Sequence, residues 1–118
     1  MITIRNINEN GITLATTNRS FASLDKWNYD LLTDLFENPS NLPVFWFTRI
    51  AVLEYHRNKG EGTILLKEMC KIQDENNFII LLGINAYGDL NTEQLRQWYT
   101  KYGFKTIKEN MMLRCPKS

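Results

Sequence analysis

Residues 45–69 constrain the fold more than any other part of the chain. They begin with a segment rich in β-branched and aromatic residues, whose apolar side chains fall on both faces, as in a strand that is covered on two sides. A turn with two glycines follows at residues 57–63, and an amphipathic helix comes next. The order of strand, glycine turn and helix predicts an α/β domain organised around this segment.

The predicted helix has one apolar face. Its polar residues Lys67, Glu68, Lys71 and Asp74 are expected to face water. The residues expected to point toward the core are Ile64, Leu65, Leu66, Met69, Cys70 and Ile72.

The glycine turn has the features of an anion site. Gly60 and Gly62 lack a Cβ, so the backbone can adopt left-handed dihedral angles and a ligand can approach its amides closely. Unpaired amides at a helix start attract anions, and Arg57 and Lys59 lie beside them. No Lys-Ser/Thr pair follows Gly62 and no glycine stands at Leu65, which excludes two other phosphate-loop patterns. We expect a phosphate or pyrophosphate here; an ordinary strand-to-helix turn is the alternative.

Composition limits the class of protein. The chain has 118 residues, which suits one domain over residues 1–118. Its net charge is +1 with acids and bases interspersed, so no nucleic-acid partner is expected. The longest apolar run, residues 78–82, is far shorter than a membrane span, and no leader-like pattern opens the sequence. We therefore expect a soluble cytoplasmic protein with no membrane partner.

The cysteines do not suggest a metal or disulfide framework. Cys70 falls on the core side of the predicted helix and Cys115 lies near the end of the sequence. No CxxC motif is present, and His56 is the only histidine. We expect two reduced thiols and no metal.

The segment before the glycine turn predicts a hairpin and one helix. Residues 2–4 and 12–14 favour strands, and Asn8-Glu9-Asn10-Gly11 between them suits a turn. Ser23 can cap a helix over residues 24–36, where apolar residues recur at helical spacing until Asn38-Pro39. Pro43 then stands at the entrance of the organising strand.

The segment after the central helix predicts a strand, a helix and two short strands. Asn76-Asn77 ends the helical pattern, and residues 78–84 form an apolar run that suits a central strand parallel to the first. Asn91 and Gln94 form a capping-box pattern before a stripe of Leu95, Trp98, Tyr99 and Tyr102. Gly103 ends that helix, and residues 104–107 and 111–115 favour strands.

These residues together resemble the GCN5-related N-acetyltransferase (GNAT) family, and the likeness covers residues 45–107. It implies a GNAT fold: a mixed central sheet with splayed parallel strands, flanked by helices. It also implies acetyl-CoA as cofactor. The segment Trp98 to Phe104 is similar to the family's Tyr-x-x-x-Gly-Phe motif. The residues implied to bind the pantetheine arm and the pyrophosphate are Ile50, Ala51, Val52, Arg57, Asn58, Lys59, Gly60, Glu61, Gly62 and Thr63.

The sequence departs from the family pattern at several points. A proline is usual where Glu54 stands and a glycine where Asn58 stands, and the family's asparagine falls by spacing at Thr92, next to Asn91. The family also places two helices between its first strands, whereas one is predicted here. This truncated N-terminal half resembles small phage members of the family, and the acceptor substrate cannot be carried over.

Amine acetylation needs oxyanion donors, a proton for the thiolate and a base for the amine. Splayed strands would leave amides near Val52 unpaired as oxyanion donors. The resemblance places the Tyr99 hydroxyl at the cofactor sulfur as general acid, although plain core packing is the alternative for this ring. Glu54 is the candidate general base, with Asp89, His56 or a water chain as alternatives.

Two functional classes follow from this reading. The first is an acetyl-CoA-dependent N-acetyltransferase whose acceptor is a protein lysine or an N-terminal amine, with a small amine less favoured. The second is a binding module that retains the fold and contacts a partner protein. Both monomer and homodimer remain open.

Overall fold

The computed structural model describes residues 2–17, 20–26, 42–51, 60–84, 91–108 and 110–117. Within these ranges the chain forms one seven-stranded sheet and two helices. The elements are β1 (Ile2–Asn8), β2 (Gly11–Thr16), β3 (Phe21–Lys26), β4 (Val44–Ala51), α1 (Glu61–Asn76), β5 (Ile79–Gly83), α2 (Thr92–Lys101), β6 (Lys105–Lys108) and β7 (Met111–Arg114). The strand order is β1-β2-β3-β4-β5-β7-β6, and β4 with β5 is the parallel pair in an otherwise antiparallel sheet.

The predicted N-terminal hairpin is confirmed, with a different part for its glycine. Glu9 and Asn10 alone join β1 to β2. The Asn8 Oδ1 atom accepts hydrogen bonds from the backbone N–H groups of Asn10 at 2.8 Å and Gly11 at 3.1 Å, which closes the turn. Gly11 itself begins β2, where an added Cβ would lie 2.7 Å from the Leu24 carbonyl oxygen. Glycine at this position therefore permits close packing of β2 against β3.

The predicted helix that starts at Ser23 is wrong at its beginning. Residues 21–26 form strand β3, in which Ala22 and Leu24 are fully buried while Phe21 and Ser23 are half-buried. This alternation has the period of a strand, and β3 pairs with β2 on one side and β4 on the other. Leu24 fits helical and strand spacing equally well, and pairing with two neighbouring strands selects the strand. The rest of the predicted helix, from Trp27, lies outside the described residues.

Strand β4 is covered on both faces, as predicted. On one face Phe45 and Phe47 belong to the larger core, where the Phe45 ring centroid lies 4.6 Å from that of Phe78. On the other face Val44 packs in a second buried cluster that includes residues of β5 and β7, with half-buried Trp46 against it. Pro43 stands just before the strand, and its carbonyl accepts the Ile79 N–H at 2.9 Å. Proline lacks an N–H, but at the strand entrance it still supplies this acceptor to the neighbouring strand.

Helix α1 lies between the two parallel strands, as predicted. Gly60 before it and Asn77 after it both adopt left-handed backbone angles, with φ of 77° and 53°. Ile64 is 39% exposed, so its predicted core position is wrong. At helical spacing it falls on the face of Glu68 and Lys71. The helix residues that are buried are Leu65, Leu66, Met69, Cys70, Ile72 and Gln73.

The C-terminal part follows the predicted elements closely. The Asn91 side chain accepts the Gln94 N–H at 2.8 Å, and the Gln94 side chain accepts the Asn91 N–H at 2.9 Å, which completes the predicted capping box. Tyr99 is buried in α2, and Leu95, Trp98 and Tyr102 are half-buried beside it. The two short strands are confirmed, with β7 inserted between β5 and β6.

Three other expectations concern cysteines, metals and membranes. Cys70 is buried and Cys115 is exposed, and neither forms a disulfide in this structure; their reduced state stays a prediction. The described part of the chain holds no group of three or more side chains suited to a metal ion. Neither described helix combines the length and the apolar character needed to cross a bilayer.

Candidate functional site

The parallel strands separate toward their carboxyl ends. Pairing of β4 with β5 begins at Val44 with Ile79 and ends at Trp46 with Leu81. β4 then continues to Ala51, still paired with Phe21 of β3. The second half of β4 therefore has a neighbour on its β3 side and leaves the ladder with β5. This is the geometry expected of a splayed pair, and it leaves backbone groups of β4 available to a ligand between the strands.

The start of α1 lies beyond the same end of β4. Gly60 occupies the N-cap position and is exposed, and among the described residues no side chain caps the helix. The first helical hydrogen bond is donated by Ile64 N–H to the Gly60 carbonyl at 3.0 Å. The N–H groups of Glu61, Gly62 and Thr63 therefore have no acceptor within the helix. Together with the positive end of the helix dipole, they form a suitable environment for an anion.

The structure describes some of the predicted site residues and not others. Ile50 and Ala51 lie in the second half of β4, and Gly60, Glu61, Gly62 and Thr63 lie at the start of α1. The left-handed angle predicted for the turn is found at Gly60, whereas Gly62 belongs to the first helical turn. The predicted residues outside the described ranges are Val52, Glu54, His56, Arg57, Asn58, Lys59 and Asp89.

Tyr99 lies in the large core on the last full turn of α2. Its ring centroid is 5.0 Å from that of Trp98 and 5.5 Å from that of Phe104. Its carbonyl accepts the N–H groups of Tyr102 at 3.0 Å and Phe104 at 3.3 Å. The packing role considered for this ring is therefore observed, and its role as an acid stays a prediction.

Sequence reasoning missed a buried polar network that joins both helices to β7. Arg114 is 3% exposed, and its guanidinium donates to both carboxylate oxygens of Asp74, at 2.9 and 3.2 Å. It also donates to the Gln73 side-chain oxygen and, at 2.7 Å, to the Tyr102 carbonyl. The Gln73 amide nitrogen donates to the carbonyls of Phe78 and Arg114. The one available signal was a glutamine at helical spacing within the apolar stripe of α1.

The network changes the acid–base behaviour of two neighbours. Burial raises the pKa of Asp74, but hydrogen bonds from Arg114 and from the Lys117 backbone, with the charges of both residues, outweigh it, so the net pKa lies below the ordinary value. Burial raises the pKa of the Cys70 thiol, an effect that the nearby Arg114 charge partly opposes. Asp74 is therefore a carboxylate at neutral pH and Cys70 a thiol.

A shallow depression of about 450 Å³ lies over this network. Four lysines line it, Lys67 and Lys71 from α1, Lys101 from α2, and Lys117 after β7. At a rise of 1.5 Å per helical residue, Asp74 lies roughly 20 Å along α1 from Gly60. The depression therefore runs along the helix from Lys67 onward, away from the glycine turn at its start.

Known proteins share this architecture. The aminoglycoside 6′-N-acetyltransferase complexed with coenzyme A matches with a TM-score of 0.61 and 14% identity, over 94% of this chain and 77% of that one. The anti-CRISPR protein AcrVA5 matches with a TM-score of 0.60 and 13% identity, over 88% and 97%. The KacTA–DNA complex matches with a TM-score of 0.58 and 16% identity, over 92% and 70%. Since that complex contains DNA, these likenesses do not support the expected absence of a nucleic-acid partner.

The sequence itself gives a family assignment. No curated protein matches the chain in sequence. A family model described as an acetyltransferase (GNAT) domain matches residues 21–106, which is well over half of the chain. The splayed parallel pair, the glycine before α1 and the seven-stranded mixed sheet agree with that match. The chain therefore belongs to the GNAT acetyltransferase family.

Proposed function

We propose that this protein is an acetyl-CoA-dependent N-acetyltransferase whose acceptor is a protein lysine or an N-terminal amine. One observation carries the proposal. The two parallel strands separate after Trp46 and Leu81, and the chain passes from the carboxyl end of β4 to a helix start that no described side chain caps. An extended thioester ligand with a pyrophosphate at its far end needs both features in this order.

The residues at hand fit acetyl-CoA. The backbone of Ile50 and Ala51 in the splayed half of β4 would bind the pantetheine arm, together with Val52. The amides of Glu61, Gly62 and Thr63 would bind the pyrophosphate, with Arg57, Asn58, Lys59 and Gly60 completing the turn. Support comes from the family match and from a structural neighbour that is itself complexed with coenzyme A.

Acetyl-CoA supplies an activated acyl group, and the chain must move two protons. The acceptor nitrogen would bond to the thioester carbon as the carbon–sulfur bond breaks, so the amine would lose one proton and the released thiolate would gain one. Glu54 would take the proton from the amine, whose pKa is about 10.4 when it belongs to lysine. The Tyr99 hydroxyl would protonate the departing thiolate. Backbone amides near Val52 would stabilise the oxyanion, an effect that can contribute about 3 kcal/mol.

The preference for a protein amine rests on the N-terminal half. The two-residue connection between β1 and β2 leaves no room for the pair of helices that the family places between its first strands. Without that pair the acceptor side should be more open. A small amine would be poorly enclosed there, whereas a peptide supplies its own contact surface.

The test compares acceptors with labelled acetyl-CoA. Lysine-containing peptides and peptides with free N-termini are assayed beside polyamines and aminoglycosides, with Tyr99→Phe as a control that keeps the ring and lacks the acid. We expect peptide acetylation by the wild type and roughly a hundredfold slower turnover by Tyr99→Phe. Turnover of small amines alone would contradict the acceptor class. Coenzyme A binding with no turnover of any acceptor would favour the binding module.

A further inference from the structure

Arg114 connects three elements through one side chain. It stands at the end of β7, and its Nη1 and Nη2 atoms hold both Asp74 oxygens near the end of α1, while Nη1 also reaches the Gln73 side chain. Its Nε atom donates to the Tyr102 carbonyl at 2.7 Å. The bidentate pair fixes the plane of the guanidinium, which in turn fixes the direction of the Nε bond.

The bond to Tyr102 acts on the turn that carries Tyr99. The Tyr99 carbonyl accepts both the Tyr102 and the Phe104 N–H groups, and the Gly103 N–H donates to Thr100 at 3.1 Å. Gly103 has φ of 96°, and a Cβ there would lie 3.2 Å from the Arg114 Nε atom. Glycine at this position therefore both closes the turn and admits the guanidinium.

We propose that Arg114 is a positioning residue for Tyr99, and this inference rests on the proposed function. Arg114 holds the last turn of α2 against α1, so it fixes the helix of the acid relative to the helix whose first amides would bind the cofactor. Displacement of a catalytic group by about 1 Å can lower a rate by about a hundredfold. The network thus sets the distance between the Tyr99 hydroxyl and the cofactor sulfur without touching either.

The principal variant is Arg114→Lys. Lysine keeps the positive charge, but it cannot make the bidentate pair and the bond to Tyr102 together. We expect kcat to fall by roughly tenfold to a hundredfold with KM for acetyl-CoA unchanged, at a temperature where the variant is fully folded. The matched control is Leu14→Ala, which removes a fully buried side chain in β2 and should lower stability while kcat stays at the wild-type value.

A double variant separates positioning from other effects. If Arg114 acts through Tyr99, Arg114→Lys should cause no further loss of kcat in a Tyr99→Phe background. A full additional loss there would overturn the inference. Equal losses of kcat in Arg114→Lys and Leu14→Ala would also overturn it, since the effect would then follow stability alone.

Hydrogen exchange tests the inference independently of turnover. In Arg114→Lys the amides of Tyr102, Gly103 and Phe104 should exchange at least about tenfold faster, whereas the Leu95 amide at the capped start of α2 should keep its rate. Uniform acceleration along α2, or none, would overturn the positioning role. If the protein transfers no acetyl group to any amine, the proposed function fails, and this measurement still shows whether Arg114 holds the turn.

Discussion

At its first residue, α1 follows an exposed glycine, and its leading amides have no acceptor within the helix. At its last turn, Gln73 and Asp74 enter a buried network in which each described polar atom has a partner. The same helix thus has leading amides with no acceptor in the helix at one end, and two side chains paired within the protein at the other. Backbone donors that find no acceptor in the helix are available to a ligand, whereas side chains that pair within the protein stabilise the fold.

The largest expected loss of stability comes from removing the Asp74 carboxylate from the polar network at the end of α1. Asp74→Ala should lower the free energy of unfolding by about 3 kcal/mol, because it leaves the buried Arg114 charge without its carboxylate. Urea denaturation at neutral pH without ligand measures this loss. The matched control is Glu75→Ala, whose side chain is half exposed and lies 3.9 Å from Arg5, and which should cost less than about 0.5 kcal/mol. Equal losses in the two variants would contradict the comparison.

Acidification should also reduce the stability that the Asp74 carboxylate contributes. The Asp74 pKa in the folded protein lies below the ordinary value of about 3.9, so the carboxylate contributes stability above that pH. This contribution is lost as pH falls through the folded value. Asp74→Asn should therefore lose stability less steeply than the wild type below about pH 4.

The second effect concerns ligand binding at the start of α1. With coenzyme A at about a hundredfold excess over Kd, the wild type should gain about 2.7 kcal/mol of stability, and Gly62→Val should gain almost none because its side chain blocks the pyrophosphate. Without ligand the variant should stay within about 0.5 kcal/mol of wild type, since valine is no worse than glycine in a helix. Calorimetry measures both quantities. Lys71→Val, on the exposed face of the same helix, should keep the gain; an undiminished gain in Gly62→Val would remove the site from this turn.

The smallest expected effect is the stability cost of replacing Gly60 at the N-cap of α1. Gly60→Ala should cost about 1 kcal/mol, because alanine must adopt the left-handed angle of 77°. A Cβ at this position meets nothing within 4 Å, so the cost comes from the backbone alone. Gly60→Asn should cost less, since asparagine tolerates this angle better. Chemical denaturation of the three proteins gives the order, and equal stability of all three would mean that the angle is not held in solution.

Local patterns predicted much of the fold. Glycines, the asparagine caps and apolar spacing located α1, β5 and α2, because each signal acts over a few neighbouring residues. β3 was missed because a six-residue alternation competes with helical spacing in the same letters, and its neighbours in the sheet decide between them. The Arg114–Asp74 pair was missed because its partners lie 40 residues apart and meet only once β7 has inserted beside β5.

The catalytic part of the site was less accessible to sequence reasoning. The left-handed angle predicted for the glycine turn is found at Gly60, and the part of Gly60 in cofactor binding stays a prediction. Tyr99 was assigned by resemblance, and its buried ring is equally explained by core packing. Glu54 and Val52 lie outside the described residues, so their roles stay predictions.

The side chain of Gln73 has a consequence for which amino acids the position can accept. Ile80 and Arg114 form the last pair of the β5–β7 ladder, and beyond it the Gln73 amide donates to the carbonyls of Phe78 and Arg114 at 2.8 and 2.6 Å. The side chain thus takes the place of one more peptide group at the end of the sheet. Glutamate has the same shape but no N–H, so it would turn two attractive contacts into repulsive ones. The Gln73 amide nitrogen, where glutamate would have an oxygen, therefore allows the last carbonyls of β7 and of Phe78 before β5 to be hydrogen-bonded at this end of the sheet.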